Sequence, residues 1–231
     1  MALVLVTGDP AGGGGALVPH LVAAGHDVAF AHRAGAAAAA AEIAAKAAAS
    51  GGRVFAREAA ATDEAAVRGL VREAEEEAGP LAAVVACAWD PGPAADPAAP
   101  ADATGIGPGT EHWAAAMEGL DGVYHACRTV IFSFVRRRGG RVVAVTPAAG
   151  LDGDPDRPLE SAAASGVVGF VKSVAKEYAG YGITANVVAA PSAPADAPDT
   201  ARIADTVVFL VSDAASALTG QVLRAGAGPA A

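Results

Sequence analysis

Short apolar runs alternate with longer amphipathic segments along most of the chain. Unbroken apolar runs are typical of strands buried on both faces of a parallel sheet. Strands are predicted at 3–6, 27–31, 53–56, 81–87, 141–145, 183–188 and 221–223. Apolar residues at helical spacing predict helices after Gly15 and over 34–50, 63–78, 111–138 and 161–179, with one more before the last strand. This alternation predicts a doubly wound α/β domain.

The first strand leads into a glycine-rich turn. Residues 3–15 are LVLVTGDPAGGGG, and an apolar helical pattern follows them. Glycines such as Gly8, Gly12 and Gly14 let the backbone approach a pyrophosphate closely, and the N-terminus of a helix offers free N–H groups and a partial positive charge. The turn therefore predicts a phosphate-binding site at the start of the first helix.

Composition and charge narrow the class of protein. The 231 residues are within the range of one α/β domain with a sizeable core. The net charge of −9 argues against a nucleic-acid partner, since binding to phosphates needs clustered Lys and Arg. The basic run at 136–138 is interpreted as a solvated helix end, where cations suit the helix dipole. Cys87 and Cys127 lack metal-ligand spacing, so no metal site and a reducing compartment are expected.

Cellular location and domain organisation are also predicted from the sequence. No charged leader with an apolar core precedes the first strand, and no uninterrupted apolar stretch reaches about 18 residues. We therefore expect a cytoplasmic protein that does not enter a membrane. Residues 90–109 are rich in Pro, Ala, Gly and Asp and predict a long loop within a single domain over 1–231.

The glycine turn resembles the fingerprint TGxxxGxG of the short-chain dehydrogenase/reductase family, with Thr7, Gly8, Gly12 and Gly14 at its fixed positions. The segments that extend the resemblance are 139–150, 166–191 and 204–228, and they are most similar to the ketoacyl-carrier-protein reductase branch. The resemblance implies a Rossmann-type, three-layer α/β/α fold with strand order 3-2-1-4-5-6-7. It also implies a nicotinamide dinucleotide at the glycine turn.

Several cofactor positions of this family are altered here. The resemblance places Arg33 where a basic residue favours NADP, while Asp9 in the glycine turn disfavours the extra phosphate; a solvated charge is the alternative for Arg33. Ala60 replaces the Asp that contacts adenine, although Thr62 remains and is predicted to cap the following helix. Residues 86–89 are Ala-Cys-Ala-Trp where the family has Asn-Asn-Ala-Gly. Trp89 is expected either to fill the nucleotide groove or to turn outward into an interface.

The catalytic positions of the family are altered as well. The alignment implied by the resemblance puts Gly119 at the Asn position, Pro147 at the Ser, Glu160 at the Tyr and Ala164 at the Lys. No catalytic residue is therefore assigned. Thr146 is expected to point to the opposite face of its strand, and Tyr178 and Tyr181 lie about five or more helical turns away. Glu160 is interpreted as a first-turn carboxylate of a helix, with an acid role at a raised pKa as the alternative.

These substitutions favour one functional hypothesis over two others. The first is a catalytically inactive subunit that pairs with an active paralogue, or with itself as a dimer or tetramer, through the helices 111–138 and 161–179. It would bind no cofactor, or NADP(H) weakly through Gly8, Gly12, Gly14 and Arg33. The alternatives are an NADP-dependent ketoreductase or oxidoreductase with a non-standard active site, and a regulator that senses nucleotides. The short segment after Pro191 also argues against the helical lid that closes over substrate in this family.

Overall fold

The computed structural model describes residues 2–89, 110–191 and 197–226. A seven-stranded parallel sheet in the order β3-β2-β1-β4-β5-β6-β7 forms its centre. The strands are β1 (Leu3–Thr7), β2 (Asp27–His32), β3 (Val54–Glu58), β4 (Leu81–Cys87), β5 (Gly140–Pro147), β6 (Ile183–Ala190) and β7 (Val222–Arg224). The Rossmann-type fold and the strand order expected from the sequence are confirmed.

Helices cover both faces of this sheet. They are α1 (Gly13–Ala23), α2 (Ala37–Ala48), α3 (Glu64–Ala78), α4 (Thr110–Arg137), α5 (Ala149–Asp152), α6 (Pro158–Tyr178) and α7 (Ala197–Val211), with 3₁₀ turns at Ala179–Tyr181 and Asp213–Ala215. One buried cluster packs α3, α4 and α6 against one face of the sheet, and a second packs α1, α2 and α7 against the other. The three-layer arrangement follows because every central strand is apolar on both faces.

The side chains of β5 show how the two layers are separated. Val142 and Ala144 belong to the α4/α6 cluster, whereas Val143 and Val145 belong to the α1/α7 cluster. Successive side chains of a strand point to opposite faces, so this alternation fixes the face of every residue up to the end of the strand. The end of β5 lies at the edge of the sheet where the β1–α1 turn begins.

Two local predictions are corrected by the structure. The N-cap of α3 is Asp63 rather than Thr62, because the Asp63 carboxylate accepts a hydrogen bond from the Ala66 N–H at 3.0 Å. The basic run is more than a solvated helix end. Arg137 donates hydrogen bonds to the Leu81 carbonyl at 2.6 Å and to the Glu75 carboxylate at 3.0 Å, which joins the end of α4 to the start of β4.

The predicted loop at 90–109 lies outside the described residues, as do residues 192–196 between Pro191 and α7. In the part of the chain that the structure describes, no helix is long and apolar enough to cross a membrane.

Candidate functional site

The β1–α1 turn is built so tightly that glycine is required at several of its positions. Gly8 has a φ of +152°, and a methyl group added at Gly14 would lie 2.8 Å from the Gly8 Cα atom. Real Cβ atoms do not approach other atoms this closely. Gly8 and Gly14 are therefore needed for the turn to pack against the first helical turn of α1, whether or not a phosphate is bound.

Asp9 satisfies much of the hydrogen bonding of this turn. Its backbone carbonyl accepts the N–H groups of Gly12 at 3.1 Å and Gly15 at 3.0 Å, and its carboxylate accepts the N–H of Ala11 at 2.9 Å. The same carboxylate forms an ion pair with Arg33, which follows the end of β2. The cation predicted to favour the extra phosphate of NADP is thus held by a carboxylate of the glycine turn.

Trp89 packs against the first helical turn of α1. The residue is only 2% exposed and belongs to the buried α1/α7 cluster. A methyl group added at Gly13 would lie 2.6 Å from the Trp89 carbonyl oxygen and closer still to the indole ring. The indole Nε1–H donates to the Pro191 carbonyl at 2.9 Å, so the side chain reaches from the end of β4 to the end of β6. Of the two orientations expected from the sequence, the structure has the inward one.

Cys87 supports this position of the tryptophan. Its thiol donates a long hydrogen bond, 3.4 Å, to the Trp89 carbonyl and lies beside Gly13. The other cysteine, Cys127, is buried in α4, and burial raises the pKa of its thiol to about 12. A thiol with such a high pKa stays protonated at neutral pH and is unreactive.

A groove of about 690 Å³ opens at the carboxyl edge of the sheet, beside the tryptophan. Gly8, Asp9, Arg33 and Trp89 line one part of it, while Gly12 and Gly14 lie outside its lining. Many other lining residues are small: Ala31, Ala60, Ala61, Ala88, Ala115, Ala116, Gly119 and Gly122. Glu118 and Glu160 also line the groove, so three acidic residues and one Arg are among its lining residues.

The four positions that the resemblance aligns with the family's catalytic residues come together around a small annex of this groove. Gly119, Pro147, Glu160 and Ala164 all line a cavity of about 40 Å³ that shares Ala88, Ala116, Gly119, Pro147 and Glu160 with the larger groove. Residues far apart in the sequence therefore meet where the resemblance implies an active site. The side chains that meet there include one carboxylate, one proline ring and one methyl group.

Thr146 lies one residue before Pro147 and on the other face of β5, yet it also lines the annex. Thr146 lines the annex with Glu160 and Ala164, on the face of β5 that packs against α6. The reason is the alternation along β5, which puts Thr146 on the same face as Val142 and Ala144. Its hydroxyl oxygen is buried and has no hydrogen-bond partner among the described residues. The sequence already contained this information, because Thr146 lies two residues after Ala144 and such side chains share one face of a strand.

Glu160 lies in the first turn of α6, where a carboxylate suits the helix dipole. It accepts a hydrogen bond from the Arg157 guanidinium at 3.3 Å. Tyr178 ends the same helix and lines a different cavity, so it does not reach the annex. The pKa of Tyr178 is raised by its hydrogen bond to Glu177 and by burial, which makes its hydroxyl a weaker acid.

That second cavity, of about 360 Å³, lies on the outer surface of α4 and α6. It is lined by Tyr124, Cys127, Arg128, Ile131, Phe132, Phe170, Val174, Glu177 and Tyr178. Phe132 is 69% exposed, and the rings of Tyr124 and Phe170 meet edge to face at 5.8 Å. We refer to this surface as the outer α4/α6 face. The apolar residues of α4 therefore occupy more than one side of the helix.

Comparisons with known proteins agree with this architecture. The family model described as short chain dehydrogenase matches residues 2–201. The chain is 35% identical to the 3-oxoacyl-[acyl-carrier-protein] reductase FabG of Haemophilus influenzae, over 51% of this chain and 58% of that protein. It is 32% identical to the 3-oxoacyl-[acyl-carrier-protein] reductase of Synechocystis, over 51% and 56%. The match thus spans a little over half the length of these relatives.

A solved structure extends the likeness of the fold to almost the whole chain. The acetoin dehydrogenase YohF of Salmonella typhimurium superposes with a TM-score of 0.80, covering 97% of this chain and 95% of that one. The sequence identity is 23%, so this likeness concerns the fold.

Proposed function

Because the chain belongs to the short chain dehydrogenase family, we propose that it keeps the family's fold as a subunit that does not itself transfer hydride and that pairs with a catalytically complete member. The observation that carries the proposal is the buried indole of Trp89 against Gly13. Family members generally bind a nicotinamide dinucleotide at the turn that this indole covers. The proposal has three parts, which concern the cofactor, the chemistry and the partner.

The cofactor part rests on the packing of the Trp89 ring against the first turn of α1. A pyrophosphate bound at a helix N-terminus needs close approach to the first backbone N–H groups. Trp89 packs on Gly13 at that place, and the carbonyl of Asp9 takes the N–H groups of Gly12 and Gly15. Asp9 also neutralises Arg33, so the charge of this guanidinium is not available to a phosphate. Dinucleotide binding is therefore weak or absent in the proposed function.

The chemical part rests on the side chains around the annex. Carbonyl reduction needs a group that gives a proton to the substrate oxygen, and in this family a Tyr with a nearby Lys does so. Glu160 and Ala164 stand at the aligned positions. The Glu160 carboxylate accepts a hydrogen bond from the Arg157 guanidinium, and the methyl group of Ala164 carries no charge that could replace the Lys.

The partner part rests on the outer α4/α6 face. Phe132 and Tyr124 expose large apolar side chains on this face. Covering them removes apolar surface from water, which is favourable. A permanent interface on this face would bury on the order of 2,000 Å² in total. A partner that carries a complete Tyr and Lys pair would supply the chemistry that this chain lacks.

Cofactor titration and turnover test the first two parts. Calorimetry of the purified chain with NADPH and NADH should give no micromolar affinity. NADPH consumption with ketones and 3-oxoacyl thioesters should not exceed the blank. Trp89→Gly should strengthen NADPH binding, with Trp113→Gly as the matched control that leaves it unchanged. Micromolar binding to the unaltered chain, or turnover that disappears in Glu160→Gln, would refute the proposal.

An ordinary NADP-dependent ketoreductase is the second candidate function. The relatives named 3-oxoacyl-[acyl-carrier-protein] reductase favour it, as do the retained Gly8, Gly12 and Gly14 of the turn with Arg33 beside the groove. This candidate requires Trp89 to leave its buried position when NADPH binds. NADPH binding without turnover would instead favour a nucleotide-sensing regulator, whose partner affinity changes with the ligand.

A further inference from the structure

We infer that Asp9 determines whether the groove at the carboxyl edge of the sheet accepts phosphate. Its carboxylate takes the place of a ligand anion on the Arg33 guanidinium, and replacing that carboxylate turns this part of the groove into a site for phosphate groups. The inference rests on the cofactor part of the proposed function. It deepens that part, because it assigns the exclusion of phosphate to one side chain other than Trp89.

The hydrogen-bond donors that Asp9 occupies supply the first reason. Its carboxylate accepts the Ala11 N–H through Oδ1 at 2.9 Å and the Arg33 guanidinium through Oδ2. Its backbone carbonyl accepts the N–H groups of Gly12 and Gly15. Phosphate groups in proteins are bound by donors of these two kinds, backbone N–H groups before a helix and guanidinium groups. Two of the four donors are held by a side chain, so a substitution at Asp9 releases them.

The position of Arg33 supplies the second reason. It is the one Arg or Lys among the described residues that line the groove, and its side chain is 65% exposed, so a ligand in the groove can reach it. The Asp9 side chain is only 22% exposed and is fixed to the turn by the Ala11 N–H. A free ligand loses translational and rotational freedom when it binds, whereas this carboxylate is already in place. Asp9 therefore keeps the guanidinium in competition with a phosphate.

Two substitutions of Asp9 test this inference on the full chain. Asp9→Asn removes the charge and keeps an amide oxygen that can accept the Ala11 N–H, so the turn should be retained while Arg33 is released. Asp9→Ala releases both donors. Calorimetry with pyrophosphate at low salt should show at least about fivefold tighter binding to each variant than to the unaltered chain. The gain should shrink at high salt, because the Arg33 side chain is largely exposed.

Two controls separate this contact from a general change of charge. Glu118→Gln removes another carboxylate that lines the groove and should leave the pyrophosphate affinity nearly unchanged. In the double variant Asp9→Asn/Arg33→Met the gain should be lost, because the released guanidinium is no longer there. No gain in either Asp9 variant, an equal gain in Glu118→Gln, or a gain that persists after Arg33→Met would overturn the inference.

These outcomes differ from failure of the proposed function, which is tested with NADPH on the unaltered chain. If neither Asp9 variant gains affinity for pyrophosphate, the inference fails, while the buried Trp89 ring still accounts for weak dinucleotide binding and the proposed function stands. Micromolar NADPH binding to the unaltered chain would refute the proposed function, and the pyrophosphate comparison would still decide the role of Asp9.

Discussion

Trp89 connects three parts of the molecule through one side chain. Its backbone follows β4, its ring packs on Gly13 of α1, and its Nε1–H donates to the Pro191 carbonyl after β6. The sequence predicted a changed groove from the loss of the family's glycine at this position. It left the direction of the ring open, because direction depends on Gly13 and Pro191, which lie far away in the sequence.

The first prediction compares the two tryptophans of the chain. Trp89→Ala should lower the free energy of unfolding by about 3–5 kcal/mol, because it removes a buried ring and leaves a cavity. Trp113→Ala should change it by less than about 1 kcal/mol, since Trp113 is 52% exposed on α4. Urea denaturation of both variants measures the difference. Similar losses in the two variants would contradict the buried position of Trp89.

The second prediction concerns the hydroxyl of Thr146. Thr146→Val should leave the free energy of unfolding unchanged or raise it by up to about 1 kcal/mol, because it removes a buried polar atom without a partner. Thr219→Val is the matched control: the Thr219 hydroxyl oxygen accepts the Ala185 N–H at 3.1 Å, and its loss should cost about 1 kcal/mol. A loss of more than 1 kcal/mol at Thr146 would mean that the hydroxyl has a partner.

The bounds of the strands were predicted with uneven accuracy. The apolar run of β4 was predicted with its bounds, Leu81–Cys87, because both faces of that strand are covered. The edge strand β3 was predicted to end at Ala56 but continues through Arg57 to Glu58. Polar side chains are tolerated there because the strand pairs only with β2 and Arg57 forms an ion pair with Glu73.

The third prediction concerns the contact between β2 and the residue before β3. Asp27 accepts hydrogen bonds from the Arg53 backbone N–H at 2.9 Å and guanidinium at 2.8 Å, and the guanidinium is the main reason that the pKa of Asp27 lies below its usual range. The folded state then binds fewer protons than the unfolded state. The stability from this carboxylate is present above about pH 4 and is lost as the pH falls through the folded pKa.

Replacing the carboxylate tests this linkage. In Asp27→Asn, the urea midpoint should fall at pH 6 and should drop less between pH 6 and pH 3 than in the unaltered chain. Asp205→Asn, an exposed carboxylate on α7, is the control and should keep the original drop. An identical drop in Asp27→Asn and the unaltered chain would exclude Asp27 as a source of acid sensitivity.

At the scale of the whole molecule, the sequence predicted the sheet order through its resemblance to a family, and the structure confirms it. The meeting of Gly119, Pro147, Glu160 and Ala164 around one annex also follows from that fold. The partner in an assembly could not be predicted from the sequence in the same way. An exposed apolar face marks a surface that a partner can cover, but it does not identify the chain that covers it.

The fourth prediction tests the outer α4/α6 face. Under the proposed pairing, Phe132→Glu should leave the chain monomeric, because an interface on this face would bury an unpaired charge. The isolated fold should tolerate the change, since Phe132 is 69% exposed. Phe209→Glu is the matched control, with a ring that is 41% exposed on α7 in the opposite layer, and should leave the mass unchanged. Light scattering that finds a monomer before any substitution would remove the basis for the pairing proposal.

The buried indole also allows ligand binding at the groove to be followed by tryptophan fluorescence. Tryptophan emission shifts to shorter wavelength when the ring leaves water, so Trp89 and the exposed Trp113 emit at different wavelengths. Any ligand that reaches the first turn of α1 must displace the Trp89 ring and expose it, which moves the short-wavelength band to the red. The chain therefore carries its own optical reporter of whether a ligand has reached the first turn of α1.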